Sequence, residues 1–284
     1  MSELQFPPVP WTTSRSLPEY QGLLAVDAKS FTSLPALLHA PTSCLIPALV
    51  DEALERAGLG DLKEVKAFPA NTGDGVVFGF PPSYLPFIVW PFLNVLDDEL
   101  GRYNARCAAP RIRLRASVHV GPLPDSGAAG DGNGTARNDV HRLLDSHPVR
   151  QLLADTSESA THLAAIISDR VYEDVVLGGY SGLHPDRCAE VVAGVAGKSF
   201  SQRAWVYVPS PSGNLLNVAA DTEEMDRPNG VRGRDADACA PAGGLMRGGA
   251  SQRVGNGVAL IGNVTGGLHF DPQPGKGQRG SVGE

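Results

Sequence analysis

The sequence predicts an α/β or α+β sandwich in which helices pack on a sheet. Three observations predict it. Short apolar runs of strand length alternate with longer segments of helical spacing across residues 20–210. Asn71-Thr-Gly-Asp-Gly75 lies between two apolar runs as a hairpin signal. The 284-residue chain is 42% hydrophobic and 19% charged, the composition of a globular protein with a sizeable core.

Residues 1–20 read as a flexible leader, because Pro7, Pro8 and Pro10 favour an extended chain. Gly22–Val26 is a continuous apolar run, as in a strand buried on both faces. Over residues 36–57, Leu37, Leu38, Leu45, Ile46, Leu49, Val50 and Leu54 recur at roughly helical spacing. Pro41 and Pro47 are expected to divide or kink that helix, and Gly58 and Gly60 to stop it. Lys63–Ala70 and Val76–Phe80 flank the hairpin turn, and Ser83–Arg102 reads as a second helix despite Pro86 and Pro91. Arg111–Val120 alternates polar and apolar positions and predicts a strand closed by Gly121-Pro122. A loop rich in Gly and Asp follows, and a helix begins over Asn138–Asp145. His162–Ile167 is the next strand, Ser168 an N-cap for a helix over Asp169–Val176, and Ala204–Val208 the last strand.

The composition changes after about residue 211. The final stretch holds about half of the 33 glycines and few large apolar side chains, which predicts a disordered Gly-rich tail over 211–284. One segment within it, residues 256–270, joins β-branched residues without Pro, Asp, Glu, Lys or Arg. That is the profile of a segment able to stack as cross-β, with a marginal terminal strand as the plainer alternative.

A formal charge of −7 and a pI near 5.5 argue against a nucleic-acid surface. The four cysteines lie far apart, without zinc spacing or a disulfide framework. The amino terminus carries no secretory apolar core, and the longest apolar run is interrupted by four prolines between Pro81 and Pro91. The expectation is a soluble, reduced, cytoplasmic protein with neither nucleic-acid nor membrane partners.

Two carboxylates organise the candidate site. Asp27 ends the first apolar strand and Asp74 sits in the hairpin turn, so pairing of these strands brings both to one sheet edge. Beside them, Ala28-Lys-Ser-Phe31 can present backbone N–H groups to phosphate, and the set suits a divalent metal with polyphosphate. Asn138 and Arg142 are four apart and share one helix face, where an amide and a guanidinium suit a ribose and a phosphoryl group. The plainer reading of each is a capping Asp, an ordinary Asp-Gly turn and a solvated helix face with an Arg142–Asp145 contact.

In order along the chain, Asp27–Thr32, Gly73-Asp-Gly75, Ser117-Val-His-Val-Gly121 and Gly134-x-x-x-Asn138-x-x-x-Arg142 resemble the motifs of class III nucleotidyl cyclases. The resemblance covers roughly residues 20–210. It implies an α+β fold, the ferredoxin-like sandwich with a mostly antiparallel sheet, acting as a head-to-tail homodimer with active sites at the interface. It further implies two divalent cations, Mn²⁺ or Mg²⁺, on Asp27 and Asp74, with the Ala28 carbonyl as a further ligand. Lys29, Ser30 and Phe31 would cradle phosphates, and Asn138 and Arg142 of the other protomer would orient the ribose and stabilise the transition state. Two positions read the base in that family, and here they are Ala70 and Asp131. Ala70 replaces the Lys of adenylate and the Glu of guanylate cyclases and has no polar side chain for a purine edge. The layout is similar to bacterial pyrimidine cyclases of Pycsar antiphage defence, which implies UTP or CTP as substrate. The cyclic product would then act on a separate effector. An adenylate cyclase, or a silent nucleotide-binding scaffold signalling through its tail, are the alternatives.

Overall fold

The computed structural model describes residues 9–107 and 110–212, and beyond them two short strands. The chain divides into a larger unit, Met1–Asn229, and a smaller one, Gly230–Glu284.

The larger unit is α+β. Its strands are β1 (Tyr20–Ala28), β2 (Ala67–Asn71), β3 (Gly75–Phe80), β4 (Leu114–Pro122), β5 (Leu163–Ser168), β6 (Cys188–Gly194) and β7 (Ser201–Tyr207). Its helices are α1 (Ala36–Arg56), α2 (Leu85–Phe87), α3 (Leu93–Arg106), α4 (Thr135–Asp145), α5 (His147–Asp155) and α6 (Asp169–Val171). The strands form one seven-stranded sheet in the order β2-β3-β1-β4-β5-β7-β6. Neighbours run antiparallel except β4 and β5, giving the mostly antiparallel sheet expected from the sequence.

Period-two alternation sorts side chains onto two faces. In β1, Leu24, Val26 and Ala28 join a core with Ile46 and Val50 of α1 and Leu93 and Leu96 of α3. Leu23 and Ala25 point the other way, against Ala136, Val140 and Leu144 of α4. A third cluster joins Val149, Leu152 and Leu153 of α5 to Ile166, Val191 and Val206. Helices therefore cover both faces, and Asp27 follows Leu23 and Ala25 onto the α4 side.

Several elements differ from expectation. α1 runs unbroken through Pro41 and Pro47. Pro47 has no N–H for the Ser43 carbonyl four residues back. The Asn71 side-chain amide donates to that carbonyl instead, at 3.0 Å. The Asn71 side-chain Oδ1 also accepts from Gly73 N at 2.7 Å, so the proline ties α1 to the hairpin that carries Asp74. Ser83–Arg102 is not one helix. A 3₁₀ turn, α2 and a wide turn over Ile88–Phe92 precede α3, and Trp90 is extended (φ −155°, ψ 124°). Pro91 excludes its predecessor from the helical region. Residues 60–63 form a 3₁₀ turn, so β2 begins at Ala67, and Tyr20 of the expected leader belongs to β1. The helix α5 and the strand β6 were not expected. Ser168 has the extended backbone of a cap, but its buried hydroxyl has no hydrogen-bond partner among the described residues.

In the smaller unit, β8 (Ser251–Val254) and β9 (Gly257–Leu260) form an antiparallel hairpin. The rest of the 256–270 segment, like residues 1–8, lies outside the described residues. No helix among the described residues is long and apolar enough to cross a membrane.

Gly75 controls how closely β3 approaches β1. A Cβ there would fall 1.9 Å from the Val26 carbonyl oxygen, whereas one at Gly79 would sit 3.4 Å from the Ala67 methyl. Gly75→Ala should therefore cost about 3 kcal/mol or more, an overpacking effect in a rigid backbone contact. Gly79→Ala should stay within about 1 kcal/mol of wild type. Urea unfolding of the two variants checks the contrast.

Candidate active site

β1 is the central strand of the site. Asp27, its last residue but one, pairs with Gly75 on β3 and with Arg115 on β4. Across the β1–β4 pair, Asp27 and Arg115 share a sheet face, and Arg115 grips the carboxylate with both ends of its fork. Nε donates to Oδ1 at 2.8 Å and Nη2 to Oδ2 at 2.5 Å. Both side chains are largely buried. Asp74 follows from the hairpin, and its carbonyl accepts from Ala28 N at 2.9 Å. That bond holds the turn against the end of β1, so the two carboxylates line one cavity of about 860 Å³.

Burial pushes the Asp27 carboxyl up to about 7. Arg115 opposes that push, while the charges of Asp74 and Asp145 add to it. Asp145 and His141 come from α4 and share a second, smaller cavity of about 170 Å³ with Asp27 and Asp74. Burial holds the His141 imidazole below its ordinary value, with Arg137 adding to the effect and Asp145 and Asp74 opposing it.

The phosphate-cradle candidates line the larger cavity together with Asp27 and Asp74. Ser30 is left-handed (φ 60°) and turns the chain at the mouth, and Ser33 returns to the Ser30 carbonyl. The Phe31 ring stacks on His39, with centroids 4.9 Å apart. Lys29 leans toward the end of α5, 3.4 Å from the Leu153 carbonyl and 3.8 Å from Glu158. Ala28 is buried, and its neighbour's backbone Lys29 N donates to the Arg113 carbonyl at 2.9 Å.

Ala70, Asp131, Asn138 and Arg142 do not line this cavity. They lie apart from it, Ala70 on the edge strand β2, Asp131 in the loop before α4, and Asn138 and Arg142 on α4. Ala70 packs with Phe68 against the α4 cluster. Gly132, beside Asp131, touches the Phe68 ring, where any Cβ would clash at 2.4 Å. Partial desolvation raises the Asp131 carboxyl, but Ser126 N and Ala128 N donate to it and hold it below the usual carboxylate range. Asn138 is exposed. Arg142 rests 3.4 Å from Asp139 and lies over the Phe200 ring, so the contact expected with Asp145 is made with Asp139 instead. None of the four is therefore brought to the carboxylates within one chain.

Sequence reasoning passed over Arg115 and Asp145, and with them the α5 side chains that wall the cavity. The charged positions of the 111–120 strand were a signal for Arg115. Only the β1–β4 register shows that its partner is Asp27.

No protein-family model matches the chain, and no curated protein matches it. Solved structures do. The guanylyl cyclase Cya2 is 13% identical, with 68% of this chain and 93% of that chain covered and a TM-score of 0.46. The adenylyl cyclase CyaB from P. aeruginosa is 14% identical over 68% of this chain and 96% of that chain, with a TM-score of 0.43. An adenylate/guanylate cyclase/hydrolase from Silicibacter pomeroyi is 18% identical over 68% and 98%, with a TM-score of 0.43. Likeness at these levels does not bear on activity or substrate.

The raised Asp27 carboxyl makes a pH prediction. The folded chain holds this proton more tightly than the unfolded chain. Its contribution to stability is complete below about pH 4 and is lost as pH rises to about 7. Metal-free wild type should lose stability relative to Asp27→Asn across that window, as read by urea unfolding of both proteins at several pH values. A flat difference would mean that Asp27 ionises normally.

Proposed function

We propose that the chain is a class III nucleotidyl cyclase. It converts UTP, or next CTP, into the 3′,5′-cyclic monophosphate and pyrophosphate. The observation that carries this reading is the convergence of Asp27, Asp74 and the Lys29–Phe31 turn on one cavity.

The residues fit divalent cations. Among the described residues no three His, Cys, Asp or Glu side chains form a closed ligand set. An open set of two carboxylates and a carbonyl is what Mg²⁺ takes when substrate phosphates and water complete its shell. Asp27, Asp74 and the Ala28 carbonyl would hold two such ions, Mg²⁺ or Mn²⁺. When bound, the ions supply positive charge against the charge developing on phosphorus and on the leaving pyrophosphate. Ser30 and Phe31 bind phosphate from the mouth of the cavity, and Lys29 contributes its charge there. Arg115, which neutralises Asp27 in the metal-free chain, already points into the same space.

Asn138 orients the ribose and Arg142 offsets transition-state charge. Both lie outside the cavity of their own chain, so this reading requires a homodimer in which α4 of the partner completes the site. Ala70 offers no hydrogen bond to a purine edge, and the Asp131 carboxylate is engaged by its own loop. Both features support a pyrimidine. The product serves as a second messenger in antiphage defence, acting on an effector encoded as a separate chain.

Incubation with ATP, GTP, UTP or CTP and Mn²⁺, followed by mass analysis, should yield cyclic UMP or cyclic CMP. No cyclic product from any nucleotide would sink the enzyme reading, and cyclic AMP alone would sink the pyrimidine reading. The composite site has its own test. Asp27→Asn and Arg142→Ala should each be inactive alone. Co-expressed, they should recover about a quarter of wild-type activity, because half the dimers are mixed and each carries one intact site of two. Absence of recovery would place all catalytic groups in one chain.

A further inference from the structure

His147, Arg150, Gln151 and Ala154 line the same cavity as Asp27 and Asp74. Their spacing of three, one and three residues makes them one face of α5. The opposite face, Val149, Leu152 and Leu153, is buried in the core and anchors the helix. The cavity face is therefore displayed on a rigid support and is not needed for packing.

The cations around this space differ in their commitments. Arg115 is engaged by Asp27, and Lys29 leans on Leu153 and Glu158. Arg113, buried behind them, donates to Thr161 and Thr156. Arg150 is exposed at the cavity wall and makes no side-chain hydrogen bond or ion pair with any described residue. The cavity thus joins carboxylates suited to cations with an uncommitted guanidinium and an imidazole on the exposed face of α5.

We propose that this face of α5 is a polyphosphate-binding wall, with Arg150 gripping the terminal phosphates and His147 beside it. The planar guanidinium stays charged and matches pairs of phosphoryl oxygens. A volume of about 860 Å³ accommodates a triphosphate. That the anion is the tail of a nucleoside triphosphate rests on the cyclase reading; the affinity for polyphosphate does not. In turnover the same residues hold the pyrophosphate after the bond to the α-phosphorus breaks.

Inorganic tripolyphosphate titrated calorimetrically into the full-length protein with Mn²⁺ tests the wall without catalysis. Arg150→Ala should weaken binding on the order of tenfold, a charged hydrogen-bond donor being lost, and Arg150→Lys should restore part of it. Binding of Mn²⁺ alone, followed by electron paramagnetic resonance, should be unchanged in both. Arg170→Ala, at the far end of β1 and β4, should bind tripolyphosphate like wild type. Unchanged affinity in Arg150→Ala, or an equal loss in Arg170→Ala, would overturn the proposal. The two readings fail separately. Arg150-dependent binding without any cyclic product removes the cyclase and leaves the wall. Cyclic product with wild-type tripolyphosphate binding in Arg150→Ala removes the wall and leaves the cyclase.

Discussion

A carboxylate held at the buried end of the central strand is the constraint on which the rest of the site depends. Asp27 has β3 on one side and β4 on the other, and both neighbours are specialised for it. Gly75 lets β3 come close enough for the Asp74 carbonyl to receive Ala28 N. Arg115 supplies the positive charge without which a buried carboxylate would be costly. Even so, burial above all leaves Asp27 with a raised affinity for protons, and the neighbouring acids add to it.

The scaffold transmits that demand outward. Pro47 leaves the Ser43 carbonyl without its helical donor, and Asn71 fills the gap while also shaping the turn at Gly73. The position of Asp74 is thereby coupled to α1, whose apolar face is buried with β1 and β3. On the other side of the sheet, α4 and α5 bury Val140, Leu144, Val149 and Leu153 and turn His141, Asp145, His147 and Arg150 toward the cavities. Rigid elements present most of the groups that surround the carboxylates, and the turn after β1 supplies the remainder.

The separation of the two residue groups gives the chemical reading its form. The carboxylates and the phosphate-side cations share a cavity, while Asn138 and Arg142 stand outside it on α4. Arg142 is held by Asp139 and Phe200 in a position of its own. In the proposed homodimer each chain would contribute half of two sites. Symmetric pairing joins the halves at no cost in additional sequence, which is the physical case for a second copy as partner.

Much of this was legible in the residue order. Short apolar runs identified β1, β3 and β5, alternation identified β4, the Asp-Gly turn identified the hairpin, and a spacing of four put Asn138 and Arg142 on one helix face. These are local regularities, and local sterics and hydrogen bonding enforce them wherever the chain goes. The unexpected elements lacked such marks. α5 is only nine residues long, and β6 alternates weakly between exposed and buried positions. Pro47 looked like a helix breaker because its compensating donor lies in a different element. The sequence by itself determined the periodicities, the turn and the residue types available for chemistry. Only the tertiary structure decided that Asp27 meets Arg115, that Asp131 faces its own loop, and that α5 walls the cavity. Those pairings depend on strand register and on packing between segments distant along the chain, which no local pattern encodes.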